Sequence, residues 1–486
     1  MRATNLLILM ADEHSRKILG CYGNAHVSTP NIDALARRGT RFQAAYTNSP
    51  ICVPARATFA TGQYVHDTGY WDNASPYDGR VPGWGHWLQQ RGHEVVSIGK
   101  LHYRDESAPT GFDRQIVPMH VVGGLGSLLH SIKDPMVVLP SAPKFSKQIG
   151  PGDSSYQRYD REITDHACRW LAGRRAGAGK PWVLFVSLVC PHYPLIADPA
   201  LYERYAGMDL PSPKAANAQG ITMHPWVSEL RRAVPYDQGF TDATRRVGVA
   251  AYYALCEFID GCVGQVLDAL NRAGLADSTR VVYTSDHGEN LGARGLWGKS
   301  TLYEESAGVP LIVAGPDVPA SAVCATPVSH VDIHPTVTQC VTGGTAPIDD
   351  TLPGMSLIDI AGNGTDGARL VLSEYHAMGA TSSAFMLRDG RCKYNHYCGF
   401  EPELFDLDND PEEMNDLSHC REHTATLDRM RESLCHMLDP DAVDRRAKAY
   451  QRALIERHGG REAVIKRGAF VGTPVPGEKA DFTPGA

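Results

Sequence analysis

Short, uniformly apolar runs alternate with amphipathic stretches over the first three-quarters of this 486-residue chain. Asn5 to Ala11 is continuous and of strand length, and Glu94 to Ile98, Trp182 to Val189, Arg280 to Tyr283 and Val309 to Val313 repeat the pattern. Pro30 to Arg38 places apolar residues at helical spacing and stops at Gly39, while Thr244 to Ala273 has the periodicity of a long amphipathic helix. Strands that are apolar on both faces and separated by helices predict an α/β fold with a mostly parallel sheet covered on each side.

Pro109 to Ser155 and Asp209 to Gly239 are rich in Gly, Pro and Ser with weak periodicity, and read as long loops of the kind that cover a site. Past about residue 365 the texture changes. Leu370 to Glu374 and Ser383 to Leu387 read as strands, Asp389-Gly390 as a hairpin turn into Cys392 to Tyr397, and Glu422 to Leu438 as a helix. The expected organisation is a catalytic domain over residues 1–365 and a smaller α+β domain over residues 366–486. The last stretch, Gly459 to Ala486, carries Pro474, Pro476 and Pro484, has no clear periodicity and reads as an extended tail. No internal repeat is found.

Composition narrows the function. With 43% hydrophobic and 21% charged residues the chain reads as a soluble globular protein with a substantial core. A formal net charge of −8 argues against nucleic acid or an anionic membrane as a partner, and leaves a small anionic substrate open. The run Leu6 to Met10 is too short for a signal-peptide core, and no other run is expected to approach a membrane span. Twelve cysteines without a CxxC pair favour reduced thiols, hence a cytoplasmic protein.

Ligands of open α/β sheets bind at the C-terminal ends of strands. Four predicted strands end there in useful groups: Asp12-Glu13, Lys100-Leu101-His102, Pro191-His192 and Asp286-His287. Asp12, Asp286 and His287 offer two hard oxygens and an imidazole, a set that suits Ca²⁺ or Mn²⁺. In Ile51-Cys52-Val53-Pro54-Ala55-Arg56, Pro54 marks a helix start, where backbone N–H groups favour an anion, and Arg56 adds a planar cation one turn further in.

Cys52-Val53-Pro54-Ala55-Arg56 resembles the CxPxR signature of the type I sulfatases, whose cysteine is oxidised after translation to formylglycine. Thr58-Phe59-Ala60-Thr61-Gly62 resembles the continuation of that signature, Gly99-Lys100-Leu101-His102 the GKxH element and Ser285-Asp286-His287-Gly288 the metal-binding dyad. Gly295-Leu296-Trp297-Gly298-Lys299, Val309-Pro310-Leu311, Glu403-Leu404-Phe405-Asp406-Leu407 and Asp410-Pro411 are similar to downstream elements in the same order.

The resemblance implies an alkaline-phosphatase-like fold and hydrolysis of a sulfate monoester to alcohol and inorganic sulfate. It further implies one divalent metal, Ca²⁺ first with Mn²⁺ or Mg²⁺ as alternatives, held by Asp12, Asp286 and His287. Glu13 is either a fourth ligand or stands just outside the ligand set. A hydroxyl of the hydrated aldehyde at position 52 would attack sulfur. Lys100 and Arg56 would stabilise the sulfuryl oxygens and the nucleophile, His192 and Lys299 would protonate the departing alcohol, and His102 would take the proton from the second hydroxyl. The implied partners are a formylglycine-generating enzyme, a small sulfate ester and further copies of the chain in a homo-oligomer.

Asp-His in place of Asp-Asn, together with Asp72-Asn73-Ala74, Gly295-Leu296-Trp297 and Glu374-Tyr375, resembles the choline-sulfatase-like branch. Choline sulfate is therefore one candidate substrate, although the aromatic-rich segments that serve choline recognition in that branch have no obvious match here. Asn73 reads equally as a turn residue and as an amide that binds a substrate oxygen. His14, His66, His86 and His376, with Trp71 and Trp84, read as surface or packing residues. The alternatives are a phosphonate monoester or phosphodiester hydrolase on the same scaffold, which the GKxH element disfavours, and a catalytically silent binding protein, which the complete set of principal residues disfavours.

Overall fold

The computed structural model describes residues 1–177, 179–216, 222–345 and 349–485. Eight strands form the central sheet: β1 Asn5–Asp12, β2 Gly39–Phe42, β3 Val95–Lys100, β4 Arg114–Met119, β5 Val183–Pro191, β6 Thr279–Ser285, β7 Leu311–Ala314 and β8 Ala322–Cys324. Their order is β8-β2-β7-β6-β1-β5-β3-β4, and β6, β1, β5, β3 and β4 are mutually parallel. The strand expected at Val309 to Val313 is β7, and it runs antiparallel to both β6 and β2 within an otherwise mostly parallel sheet.

Alternation along the strands divides the core in two. Leu7, Leu9 and Ala11 of β1 face one layer, while Leu6, Ile8 and Met10 face the other. The first layer receives α1 Pro30–Arg37, α3 Ser155–Ala172 and α4 Asp242–Arg272; the second receives α2 Cys52–Thr61 and α5 Ile333–Thr342. Thr241 starts α4 by accepting a hydrogen bond from Thr244 N. This helix corrects the expectation about membrane spans, because by length and composition it is apolar enough to cross one; 78% of its apolar window is buried inside the protein.

The antiparallel C-terminal sheet orders β9 Val371–Tyr375, β10 Ala384–Arg388, β11 Cys392–Tyr397 and β12 Glu403–Asp406 consecutively. Asp389 N bonds Cys392 O at the hairpin turn. Helix α6 Thr424–Met437 matches the predicted one, and α7 Pro440–Arg457 and α8 Gly460–Arg467 follow.

Three readings change. The segment taken as a loop from Pro109 contains the edge strand β4. The one from Asp209 contains a helix at Pro225–Ala233, with residues 217–221 outside the described residues. The tail from Gly459 opens with α8 and returns on itself in an Ala469–Thr483 bridge; Ala486 lies outside the described residues.

Candidate active site

The C-terminal ends of β1, β3, β5 and β6 converge, so the four polar strand ends meet. Two of these strands bulge on arrival: β1 shifts register between Met10 and Asp12, and β3 between Ile98 and Lys100. A bulge re-aims the side chain that follows it. At the second bulge Gly99 has φ +97°, and a Cβ there would lie 2.3 Å from Ser187 O, so the position admits only glycine. Cys52 opens α2, whose N-cap Ile51 supplies no side-chain acceptor. The side-chain Oδ1 of Asn73 accepts from the Val53 N–H at 3.2 Å.

Cys52 Sγ lies 3.1 Å from His287 Nε2, 3.3 Å from Lys299 Nζ and 3.6 Å from Asp12 Oδ1. Arg56, one helical turn deeper, spends its donors on the protein: Nε on Asp286 Oδ2 and Nη2 on Asp12 Oδ2, both at 2.9 Å, and Nη1 on Lys100 O and Ser187 Oγ. Lys100 Nζ reaches Asp12 Oδ2 at 2.7 Å. Each carboxylate thus gives its Oδ2 to cations and turns its Oδ1 toward position 52 or His287.

The ligand atoms of Asp12, Cys52, Asp286 and His287 lie within 4.8 Å of one another, and all four residues are buried. Two carboxylate oxygens and an imidazole held at one buried point fit a divalent cation. Glu13 faces elsewhere. Its Oε2 pairs with Lys299 Nζ at 3.0 Å and His192 Nε2 at 3.3 Å, in a second group formed with Asp12 and His192.

Electrostatics follow from burial and pairing. Burial pushes the Cys52 thiol up to about 12, with Asp12 adding to the shift against Lys299 and Lys100. Burial would raise Asp12, but Lys100, His192 and Arg56 hold it well below the ordinary carboxylate range. Burial lifts Glu13 to about 8 against the pull of Lys299. Burial would lower Lys299, yet Cys52, Glu13 and Asp12 hold it well above its usual range. His192 and His102 are kept neutral by burial, aided by Lys299 at the first and Lys100 at the second.

The cleft above these groups is a narrow cavity of about 60 Å³, lined by Cys52, Asn73, His102, His192 and Lys299. Both segments expected to cover a site contribute to it, the first through His130 and the second through Tyr236. Phe470 to Thr473 close it from the tail, which no signal in the sequence marked. Elsewhere, His14 bonds Tyr283 Oη at 2.6 Å, His66 and His376 bond Glu374, and His86 bonds Pro109 O. Trp71 and Trp84 are buried packing residues, and all twelve cysteines are unpaired.

Comparison with known proteins bears on the same residues. Residues 4–343 match the family model for sulfatases, and residues 292–439 match the model for the C-terminal region of N-sulphoglucosamine sulphohydrolase. The chain is 30% identical to a choline-sulfatase of Rhizobium meliloti (strain 1021), over 85% of this chain and 82% of that protein. It is 30% identical to arylsulfatase K of Bos taurus, over 89% and 82%. Among solved structures, the phosphonate monoester hydrolase of Agrobacterium radiobacter superposes with a TM-score of 0.72 at 23% identity, covering 89% of this chain and 95% of that one. BT4656 in complex with D-glucosamine-2-N,6-O-disulfate superposes at 0.71 and 23%, covering 90% and 99%. These likenesses identify the fold as the alkaline-phosphatase-like one. With the family match spanning the central sheet and relatives covering most of the chain, the protein belongs to the sulfatase family and is a sulfuric ester hydrolase.

Proposed function

We propose that the protein hydrolyses the sulfate monoester of a small alcohol, with Cys52 converted to formylglycine by a formylglycine-generating enzyme and one divalent cation, Ca²⁺ first, held by Asp12, Asp286 and His287. The observation that carries this reading is the convergence on Cys52 Sγ of His287 Nε2, Lys299 Nζ and Asp12 Oδ1 at the start of a helix. A thiol pushed to about 12 is protonated at neutral pH and a poor nucleophile, so position 52 gains from conversion. The hydrated aldehyde supplies a hydroxyl nucleophile, and the cation supplies Lewis-acid polarisation of a sulfuryl oxygen.

The remaining work falls to the chain's own side chains. Arg56 and Lys100 hold the outer oxygens of Asp12 and Asp286, so the inner oxygens stay aimed at the cation site. Lys299, a firm cation beside both Cys52 and Glu13, donates hydrogen bonds to the anionic ester and to the departing oxygen. His192 gives its Nδ1–H to Tyr193 O, so its neutral ring presents a bare Nε2 that takes a proton from Glu13, lifted to about 8, and passes it to the leaving alcohol. His102, with Nδ1 buried and unpartnered, takes the proton released at position 52. Asn73 lines the same cavity and steadies the start of α2.

Choline sulfate is the first natural ester to try, given the choline-sulfatase relative. The test compares kcat/KM for 4-nitrophenyl sulfate and a 4-nitrophenyl phosphonate monoester, using protein whose conversion at Cys52 is confirmed by peptide mass. The expected result is a clear preference for the sulfate. A preference for the phosphonate would transfer the enzyme to the phosphonate hydrolase reading while leaving the fold unchanged.

A further inference from the structure

The segment that follows α8 turns back over the cavity and is anchored from three sides. Gly468 has φ +80°, and a Cβ there would lie 2.2 Å from Thr483 O, so the chain reverses at a point only glycine accommodates. Ala469 and Thr483 exchange backbone hydrogen bonds of 2.9 and 2.7 Å, and the Phe470 and Phe482 rings meet edge to face at 5.1 Å. From beneath, Tyr156 Oη donates to Thr473 O at 2.6 Å. The strap is therefore a fixed wall of the cavity, with Phe470, Val471, Gly472 and Thr473 all lining it.

At its end, Thr473 Oγ1 lies 2.7 Å from His102 Nε2, a contact across 371 residues of sequence. Among the described residues it is the one side-chain hydrogen bond of the His102 ring, whose Nδ1 is buried without a partner there. His102 itself stands at φ +56°, tied through its backbone N to Met119 O at 2.8 Å. The backbone is thus fixed at its root, while the ring's rotation and tautomer rest on Thr473.

We propose that Thr473 is a positioning residue for His102, so that the C-terminal strap completes the catalytic site of its own chain. A hydroxyl oxygen that accepts from Nε2–H leaves the Nδ1 lone pair as the proton acceptor. The same bond persists after Nδ1 takes its proton, because both ring nitrogens are then donors. Thr473 therefore holds one ring geometry before and after proton transfer. The strap also lines the cavity, so the segment that orients the base is a wall of the site it serves.

This inference rests on the role given to His102 above, and the experiment separates the two. Thr473→Val removes the hydroxyl at nearly constant volume, Thr473→Ser keeps it, and His102→Ala removes the ring. Thr473→Val is expected to lower kcat about 10- to 100-fold, the usual loss when a partner that orients a catalytic ligand is removed. KM should change little, and Thr473→Ser should remain close to wild type. Long-range ¹H–¹⁵N spectra of histidine-labelled protein, with the His102 signals assigned by their loss in His102→Ala, should show both His102 nitrogens shifted in Thr473→Val and unshifted in Thr473→Ser. Unshifted nitrogens and wild-type kcat in Thr473→Val, beside an inactive His102→Ala, overturn the strap proposal and leave the role of His102 standing. An active His102→Ala removes the role of His102 itself. Should valine unfold the protein, Thr473→Ala repeats the comparison without the branched side chain.

Discussion

Arg56 shows how the site divides its labour. Its signature position suggested a cation facing the sulfuryl oxygens, yet the guanidinium is 2% exposed and bridges Asp12 and Asp286. The reason is helical geometry. Residues four apart share a helix face, so with Cys52 at the open first turn of α2, Arg56 sits one turn deeper against the strand ends. Sequence gives the spacing of the two residues but not which end of the helix meets solvent. The planar fork matters because one lysine ammonium cannot reproduce its bidentate reach. Arg56→Lys is therefore expected to destabilise the fold by about 3 kcal/mol, the scale of a broken buried ion pair, and to cut kcat sharply as the two carboxylates lose register. Urea unfolding and steady-state kinetics test both, and wild-type kcat in this variant would refute the role. Cys52→Ala makes the opposite prediction. Turnover should vanish while unfolding changes by only about 1 kcal/mol, since what is lost is a small buried side chain and the weak hydrogen bonds of a thiol. Substantial residual activity there would sink the nucleophile assignment.

At the scale of elements, Glu374 joins the small sheet to the short helix Val65–Thr68 that follows α2. It lies on β9; its Oε1 accepts from both the N and Nδ1 of His66 at 3.1 and 3.0 Å, and its Oε2 pairs with His376 Nε2 at 2.8 Å. Burial alone would raise this carboxyl, but His66 and His376 hold it far below its ordinary 4.5. A depressed carboxylate stabilises the fold above the unfolded value, and that contribution is lost as pH falls below it. His66 is shifted the other way, raised above 6.5 by Glu374 against burial, so its share is full below about 6.5 and fades as pH rises through the raised value. Glu374→Gln should accordingly cost about 2–3 kcal/mol near pH 6, the worth of hydrogen bonds to a charged group. The deficit should shrink toward pH 4 and toward pH 8 in urea titrations, and a deficit independent of pH would show that packing rather than charge makes this junction. The legibility of elements followed the same physics. Helix α4 was readable because its long apolar stripe begins at a Thr241 cap. Strand β4 was not, since Arg114–Met119 is an edge strand carrying Pro118 and is buried only at its end. Helix α7 was hidden because its buried face includes Gln451, which donates to Asp72 Oδ2 and His376 O in place of an apolar contact.

Over the whole molecule, the catalytic groups and the stability of the central sheet are one problem. The carboxylates of Asp12 and Asp286 stand wholly buried at the ends of adjacent strands β1 and β6, where two like charges repel and solvent cannot screen them. Arg56 and Lys100 offset this through the outer oxygens, but the inner oxygens and His287 still face a shared point. The residues that meet there were legible because each follows an apolar strand, whereas the strap over them came from a tail without periodicity and was visible only once folded. A divalent cation at that point binds the folded chain and not the unfolded one, because the donors come from positions as far apart as Asp12 and His287. Mass action then requires that the cation stabilise the fold by about 2.7 kcal/mol at a hundred times its Kd. Chelation should lower Tm by several degrees, and readdition of Ca²⁺ should restore it in proportion to the logarithm of concentration. Asp286→Asn, which keeps the shape but removes one charge, should melt at nearly the same temperature with and without Ca²⁺. If chelator leaves the wild-type Tm unchanged, the group does not hold a cation and the roles assigned to Asp12, Asp286 and His287 fail together. If wild type and Asp286→Asn respond equally, the cation binds elsewhere on the surface, and the buried carboxylates serve only to hold Arg56.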